Sequence, residues 1–539
     1  MAEDKFGTKK TYSLVAQPDD PHSQGQTFVH PDELGQVRLS DEISKDGNDD
    51  EVPLPRTMGV LSASALVCGL MIGSGVFSTP GVVLSMSGSA SMALLYWFLA
   101  ALISLSGALS YIELGCLLPE SGGEQIYLDY CIRKPRQLFG FLFSFCTIVC
   151  MRPGSIATNA IVFGKYLIYA VYGSTKLIED AAKLSTIEWQ QRGLAMLCLV
   201  AVTIISMVSN KWSVRALDIL TWIKVLVLVV FSVTGLVILA GWTSIPRSDL
   251  WSRGFSGTST DLHQHTSAIF NAFWAYDGWH NLNFCMGEVK NPQRNLPLAA
   301  AGGIAITTVL YMLTNVAFFT VVTMEDVVAG EEVLAGTWGT KVFGLAFGRI
   351  IVPTLIAISC AGSITAMVFG VSRLIVAAAQ KNYLPFSFLW VRISPRWGTP
   401  INALVLNFVL VSLYILAPPP GKIFQFLVDF ISYPSRLFYG LTVVGMVMLR
   451  FREPLLERTF KVWMIFPYLY ILVSLVLAVF PFIPPVDTLS SPYGYPYFVA
   501  PLLGISYSCV GIPFWYYLVR RPQRLAAAKV NEPLVPRVE

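Results

Sequence analysis

Residues 66–77 read LVCGLMIGSGVF, an apolar run interrupted at its centre by Gly73-Ser74-Gly75. The run lies inside a longer apolar segment, 58–86, long enough to cross a bilayer, for which ~20 residues suffice. Two glycines around a serine at mid-membrane free backbone N–H and C=O groups that hydrocarbon cannot satisfy. Such a break persists only where it faces protein or a water-filled cavity. Discontinuous helices of this kind hold small ions and zwitterions in secondary transporters.

Outward from the break the apolar pattern repeats. Of 539 residues, 54% are hydrophobic and only 13% charged, roughly half the charged fraction of a soluble domain. Mean hydropathy is +0.58. Spans are predicted at 57–86, 91–118, 138–170, 191–209, 215–241, 265–287, 297–324, 343–380, 400–417, 424–450, 462–483 and 497–519. The chain therefore reads as an all-α polytopic membrane protein with twelve spans and the lipid bilayer as its solvent. The 1–56 segment, polar and carrying the acidic run Asp49-Asp50-Glu51, reads as a disordered cytoplasmic tail. No cleavable signal peptide is expected there.

Net charge is +4, and its placement says more than its size. Lys and Arg concentrate in alternate loops, among them Arg133-Lys134, Lys290, Arg392 and Arg520-Arg521. The opposite loops hold fewer, such as Lys176, Arg247 and Lys422. The positive-inside rule then puts both termini in the cytoplasm. The nine cysteines lie mostly within spans and read as small packing residues, with no disulfide framework. No CxxC, HExxH or histidine cluster calls for a metal or other cofactor, and no nucleophile–base constellation calls for an enzyme. No nucleic acid partner is expected.

The sixth span carries a second weak point. Residues 273–281, FWAYDGWHN, place an acid, a glycine and two polar residues in mid-membrane. Two interrupted helices at matching places in two halves of a chain point to an inverted-repeat transporter. The organisation this implies is a first five-helix repeat at 57–241, a second at 242–450, helices 11 and 12 within 451–519, and a cytoplasmic tail at 520–539.

An unwound helix exposes N–H groups on one side of its break and carbonyls on the other. The N–H groups, at the positive end of the following half-helix, suit a carboxylate, and the carbonyls suit an ammonium. One gap can therefore hold both ends of an α-amino acid. On this reading Met71, Ile72, Gly73, Ser74 and Gly75 form the first half of a binding site. The N–H groups of Ser74 and Gly75 take the carboxylate, and the carbonyls of Met71, Trp274 and Asp277 take the amine. Trp274, Asp277, His280 and Asn281 shape the pocket for the substrate side chain.

Ionisable residues inside a membrane are functional candidates by default. Lys224, within WIKVLV at 222–227, is expected to reach carbonyls beside Gly73 and Ser359 or Ser363, standing where a sodium ion would otherwise bridge the first and eighth spans. The alternative is a lysine that snorkels to water. Asp277 can pair with a cationic substrate, the substrate amine or a travelling proton, or simply cap free N–H groups at the break. Glu113, Arg152 and Arg373 read as structural ion pairs or gates.

At this point a family resemblance is visible. Ile72-Gly73-Ser74-Gly75-Val76-Phe77 with Pro80-Gly81 resembles the first-span signature of amino acid–polyamine–organocation carriers. Ser121-Gly122-Gly123, the stretch EVKNPQRNLP at 288–297 and Ser359-Cys360-Ala361-Gly362-Ser363 resemble its L-type amino acid transporter branch. Ile132-Arg133-Lys134-Pro135 and Leu384-Pro385-Phe386-Ser387 look like the fungal methionine permeases within that branch. The resemblance implies a LeuT-like five-plus-five inverted repeat with two additional helices, alternating access and sodium independence, with Lys224 matching the family's fifth-span lysine. Animal relatives often tether a heavy chain through a cysteine after span three. Residues 172–190 contain none, so no disulfide-linked heavy chain is expected.

The function expected is a plasma-membrane permease for large neutral amino acids, methionine foremost, coupled to protons. Exchange is the alternative coupling, and cationic amino acids or polyamines are the alternative cargo that Asp277 motivates. A non-transporting amino acid receptor is the third reading.

Overall fold

A computed structural model describes residues 56–172, 181–330, 334–417, 423–483 and 498–530. Nearly all of the 1–56 tail, the loop positions Lys176 and Lys422, and the last part of the C-terminal tail lie outside the described residues. The described residues are helical, apart from turns and one isolated parallel bridge between Met58 and Val289.

The first span is two helices. Helix α1, Val60–Met71, stops because Ile72 leaves the helical region at φ −75°, ψ 78° and the Gly73 N–H folds back onto the Met71 carbonyl. Helix α2, Gly75–Ser87, restarts at an angle of 42° to it. Then come α3, Ala90–Leu117, the short α4, Glu124–Cys131, and α5, Leu138–Cys146. A π turn, Thr147–Met151, joins α5 to α6, Arg152–Tyr172. Helices α7, Ala181–Val208, and α8, Asn210–Leu239, complete the first half.

The sixth span is also interrupted. Helix α9, Leu262–Ala275, ends in a turn, and the chain resumes as a 3-10 helix, Asn281–Glu288. Gly278 sits in that turn at φ +110°, a conformation that only glycine adopts without strain. Helix α10, Pro292–Val321, follows, then α11, Met324–Gly330, α12, Leu334–Phe343, and the long α13, Leu345–Gln380. The remaining helices are α14, Ser387–Trp390, α15, Ile401–Leu416, α16, Ile423–Arg452, α17, Ile465–Val479, α18, Val499–Trp515, and α19, Arg521–Val530.

Among the described residues eight helices are long and apolar enough to cross a membrane, and there are nine such spans if α1 and α2 count as one. The difference from the expected twelve has physical causes. The sixth span is broken into a 14-residue helix and a 3-10 turn. Helix α15 has 16 residues. Helix α16 carries Asp429, Arg436, Arg450 and Arg452, which lower its hydropathy.

Helix α10 packs on α8, α3 and α1, and α13 packs on α6, α12 and α8. The broken spans sit between these. Their glycines allow backbone to approach backbone: a Cβ on Gly75 would lie 2.8 Å from the Ala275 Cα. Around the breaks Trp97, Tyr276 and Tyr311 form a closed aromatic triangle, with ring centres 4.9–5.9 Å apart, each contact worth ~0.5–1.5 kcal/mol beyond area burial. The outer surface is apolar instead. Trp212, Ile219, Trp222, Leu226 and Val233 of α8 are exposed at helical spacing, as a lipid-facing stripe requires. Eight of the nine cysteines are buried.

The end of the molecule near Met58 is closed by polar contacts. Arg373 Nε lies 2.7 Å from Glu288 Oε1, Arg373 Nη2 donates to Asn210 Oδ1 at 2.6 Å, and Asn210 Nδ2 donates to Glu288 Oε2 at 2.9 Å. Glu113 pairs with Arg450 and Arg458 and accepts the Val462 N–H. Arg373 and Glu113 thus make buried ion pairs. Arg152 does not; among the described residues its partner is a histidine.

Candidate functional site

Both breaks open on one cavity. It is lined by Leu70, Met71, Gly73, Ser74 and Gly75 of the first break, and by Trp274, Ala275 and Asp277 of the second. Arg152, Ser155, Thr158 and Asn159 of α6 close one side, with Met367 of α13. The space is about 50 Å³ for the centres of water molecules, several times the ~10–15 Å³ that one water needs.

The two backbone ends differ in sign, as the half-helix geometry demands. The N–H groups of Ser74, Gly75 and Val76 have no backbone acceptor among the described residues, whereas those of Phe77 and Ser78 bond back to the Ser74 carbonyl. These N–H groups and the α2 dipole present a positive edge. On the other side, the last carbonyls of α1 are mostly taken. Gly69 accepts from Lys224 Nζ and Ser363 Oγ, and Ile72 accepts from Ser363 and Ser359. Met71 accepts from Tyr311 Oη at 2.5 Å and from the Gly73 N–H. Leu70 and Gly73, both on the cavity, take no backbone donor among the described residues. The negative edge is therefore at Leu70 and Gly73, and both lone pairs of the Met71 carbonyl are occupied. The Trp274 carbonyl accepts the Asp277 N–H.

Lys224 is fully buried, so snorkelling is excluded. Its ammonium donates to Gly69 O at 2.6 Å and to Ser363 Oγ at 2.8 Å. Gly362 makes the room: a Cβ there would lie 2.5 Å from Lys224 Cε. The lysine thus ties α8 to the end of α1 and to α13. Ser359 reaches the Ile72 carbonyl at 3.4 Å and, among the described residues, makes no hydrogen bond to the lysine.

Asp277 points at the cavity, with its side chain 43% exposed. Its nearest basic group is His280 Nδ1, at 3.8 Å. The other ring nitrogen, Nε2, lies 2.7 Å from Arg152 Nη2 and 2.9 Å from Tyr439 Oη. Arginine offers only donors, so Nε2 is the acceptor and the ring is neutral with its proton on Nδ1, aimed toward Asp277. His280 therefore stands behind the cavity, positioning Arg152 and Asp277. Asn281 is also withdrawn: it is fully buried, with Nδ2 3.4 Å from the Ala366 carbonyl and its amide against Gly370. Ile72 lies outside the lining as well.

Two contributors, Tyr311 and Asn159, were not singled out from the sequence, and a third, Arg152, was expected as an ion pair or gate rather than on the cavity wall. Tyr311 of α10 donates its hydroxyl to Met71 and lies 3.1 Å from the Ala275 carbonyl, joining the two breaks. Asn159 Oδ1 accepts from Ser74 Oγ at 3.1 Å. Arg152 lines the cavity with its guanidinium against the Phe284 ring. Arg152, Ser155 and Asn159 are spaced i, i+3, i+7, a polar stripe on one face of an otherwise apolar helix.

The model of the amino acid permease family matches residues 58–506, from the bridge at Met58 into α18. The chain belongs to that family. The permease is 32% identical over 434 residues to the b(0,+)-type amino acid transporter 1 of Mus musculus, covering 80% of this chain and 83% of the relative. It is 29% identical to the cystine/glutamate transporter of Homo sapiens, covering 90% of each. It is 30% identical to the large neutral amino acids transporter small subunit 2 of Rattus norvegicus, covering 84% of this chain and 80% of the relative. These relatives are transporters, and the permease is a multi-pass membrane protein of the amino acid–polyamine–organocation superfamily, not an enzyme.

Proposed function

We propose that this permease carries α-amino acids with large neutral side chains, methionine foremost, by alternating access without sodium. The observation that carries the reading is the single cavity between two broken spans, with unpartnered N–H groups on one edge and unpartnered carbonyls on the other. The substrate carboxylate fits the N–H groups of Ser74, Gly75 and Val76. Its ammonium fits the carbonyls of Leu70 and Gly73, with Asp277 nearby. Leu70, Met71, Trp274 and Met367 offer an apolar wall to the side chain, and the name of the rat relative points to the same substrate class. Sodium independence is supported by the Lys224 ammonium, which already occupies the carbonyl of Gly69 and the hydroxyl of Ser363.

The paired breaks support the five-plus-five repeat, with halves at 57–241 and 242–450. We place the permease in the plasma membrane, and the loop charges favour cytoplasmic termini, which makes the Met58 side the inner one. Because 172–190 holds no cysteine, this loop offers no disulfide to a heavy chain. The test is uptake of labelled methionine and leucine into vesicles holding the purified chain, in sodium-free buffer. Uptake of no amino acid, under a proton gradient or with internal amino acid, refutes the proposal.

A second cargo, cationic amino acids, is favoured by one observation: the Asp277 carboxyl is open to the cavity and unpaired within 3.8 Å. Lysine, arginine and spermidine as competitors of leucine uptake decide this. Asp277→Gly is expected to remove any lysine competition, and unchanged competition argues against charge pairing.

A further inference from the structure

Glu124, the first residue of α4, follows the Gly122-Gly123 turn and is fully buried. Among the described residues neither of its carboxyl oxygens has a partner within hydrogen-bond distance. An ionised carboxylate in that position costs several kcal/mol unless it is compensated or takes up a proton. The groups that face it come from several elements. Arg152 of α6 and Asp277 of the second break bring the charges. Tyr111 of α3, Tyr127 on its own helix, Tyr439 of α16 and Tyr470 of α17 bring phenols. Among the described residues Tyr111 Oη lacks a hydrogen-bond partner as well. From α5, Ser144 donates to Gln125 and leaves Glu124 alone.

Arg152 is the one cation in that set, and it also lines the cavity and holds His280. One guanidinium therefore acts on two carboxyls, the buried Glu124 and Asp277 at the cavity. With Glu124 ionised, its negative charge offsets the charge of Arg152. With Glu124 neutral, the positive charge of Arg152 falls on Asp277 and on whatever fills the cavity.

We propose that Glu124 is the proton-binding group of this permease, and that Arg152 transmits its charge state to the amino acid site. The proposal rests on the amino acid permease reading. Loading forms an O–H bond on the Glu124 carboxyl and release breaks it, so each cycle moves one proton and no electrons. Burial pushes this carboxyl up to about 8, with Arg152 opposing part of the effect, so the proton is exchangeable near neutral pH. Each site then biases the other, as reciprocal coupling requires.

The test uses the full chain in vesicles that contain a pH-sensitive dye, without sodium, with labelled leucine outside and an inward proton gradient. The unaltered protein is expected to accumulate leucine above equilibrium and to acidify the lumen as it does so. Glu124→Gln is expected to keep leucine–leucine counterflow while its accumulation ratio falls to about 1, the limit with no driving force coupled. Glu124→Asp, which keeps the titratable group, is expected to retain acidification. Accumulation and acidification by Glu124→Gln at the level of the unaltered protein overturn the proposal. So does leucine movement by the unaltered protein with no lumenal pH change, a measurement that needs no variant to fold. Absence of counterflow for every amino acid in the unaltered protein sinks the permease reading instead.

Discussion

The Lys224 side-chain nitrogen lies 2.6 Å from the Gly69 carbonyl oxygen, so a buried donor caps the end of the first half-helix. Hydrogen bonds to charged groups are worth ~1.5–3 kcal/mol each. Lys224→Met keeps the stem and removes both bonds. The expected outcome is at least a tenfold loss of uptake rate, since ~1.4 kcal/mol is a factor of ten. Sodium-free vesicle uptake checks it, beside a folding control by size-exclusion chromatography. Ser363 still reaches Gly69 at 3.0 Å, so the helix end should survive while transport does not.

Tyr311→Phe removes the hydroxyl that Met71 and Ala275 share. The ring stays against Trp97 and Tyr276, so packing is retained. A stability loss of about 1 kcal/mol is expected, with a rise in KM because the hydroxyl that joins the two breaks around the cavity is lost. Uptake across a leucine concentration series measures it, and an unchanged KM counts against the bridging role.

Gly75→Ala places a methyl 2.8 Å from the Ala275 Cα. The neighbour is backbone and cannot rotate away, so overpacking of about 1–3 kcal/mol is expected. Ala275→Gly in the same chain should restore part of the lost uptake. A lack of rescue would mean that the two breaks do not touch where the geometry puts them.

Stability should also depend on pH through Glu124. Its folded carboxyl titrates near 8 against 4.5 for the unperturbed group, so the folded state binds more protons in between. Stability therefore falls as pH rises from 4.5 toward 8. Glu124→Gln mimics the protonated form and lacks this loss. The melting temperatures of the two proteins are expected to match below pH 4.5, to diverge between pH 4.5 and about 8, and to stay apart above it, with the variant higher.

Much of this architecture was readable because polar residues are scarce in an apolar chain. Gly73-Ser74-Gly75 and Asp277-Gly278 stood out against their spans, and both proved to be breaks on one cavity. Lys224 stood out for the same reason, and its bond to Ser363 followed from the expected contact of the first and eighth spans. His280 and Asn281 were expected on the pocket wall. Past Gly278 the chain turns and resumes as a 3-10 helix, with three residues per turn, so α-helical spacing misassigns their direction. Tyr311 carried no signal, since one more tyrosine in a membrane span is ordinary. Glu124 was hidden differently. It lies between spans, where an acid is normally solvated, and only the tertiary fold buries it.

The bridge at Met58 has a mechanical consequence. Its N–H meets the Glu288 carbonyl at 3.0 Å, and its carbonyl meets the Lys290 N–H at 2.9 Å. Glu288 is also the carboxylate that Arg373 clasps. The entry to the first broken span and the exit from the second are therefore yoked, and the Arg373–Glu288–Asn210 clasp restrains the yoke. Opening it releases both half-spans in one stroke, so this end of the pathway should behave as a door on one latch rather than two leaves that swing independently.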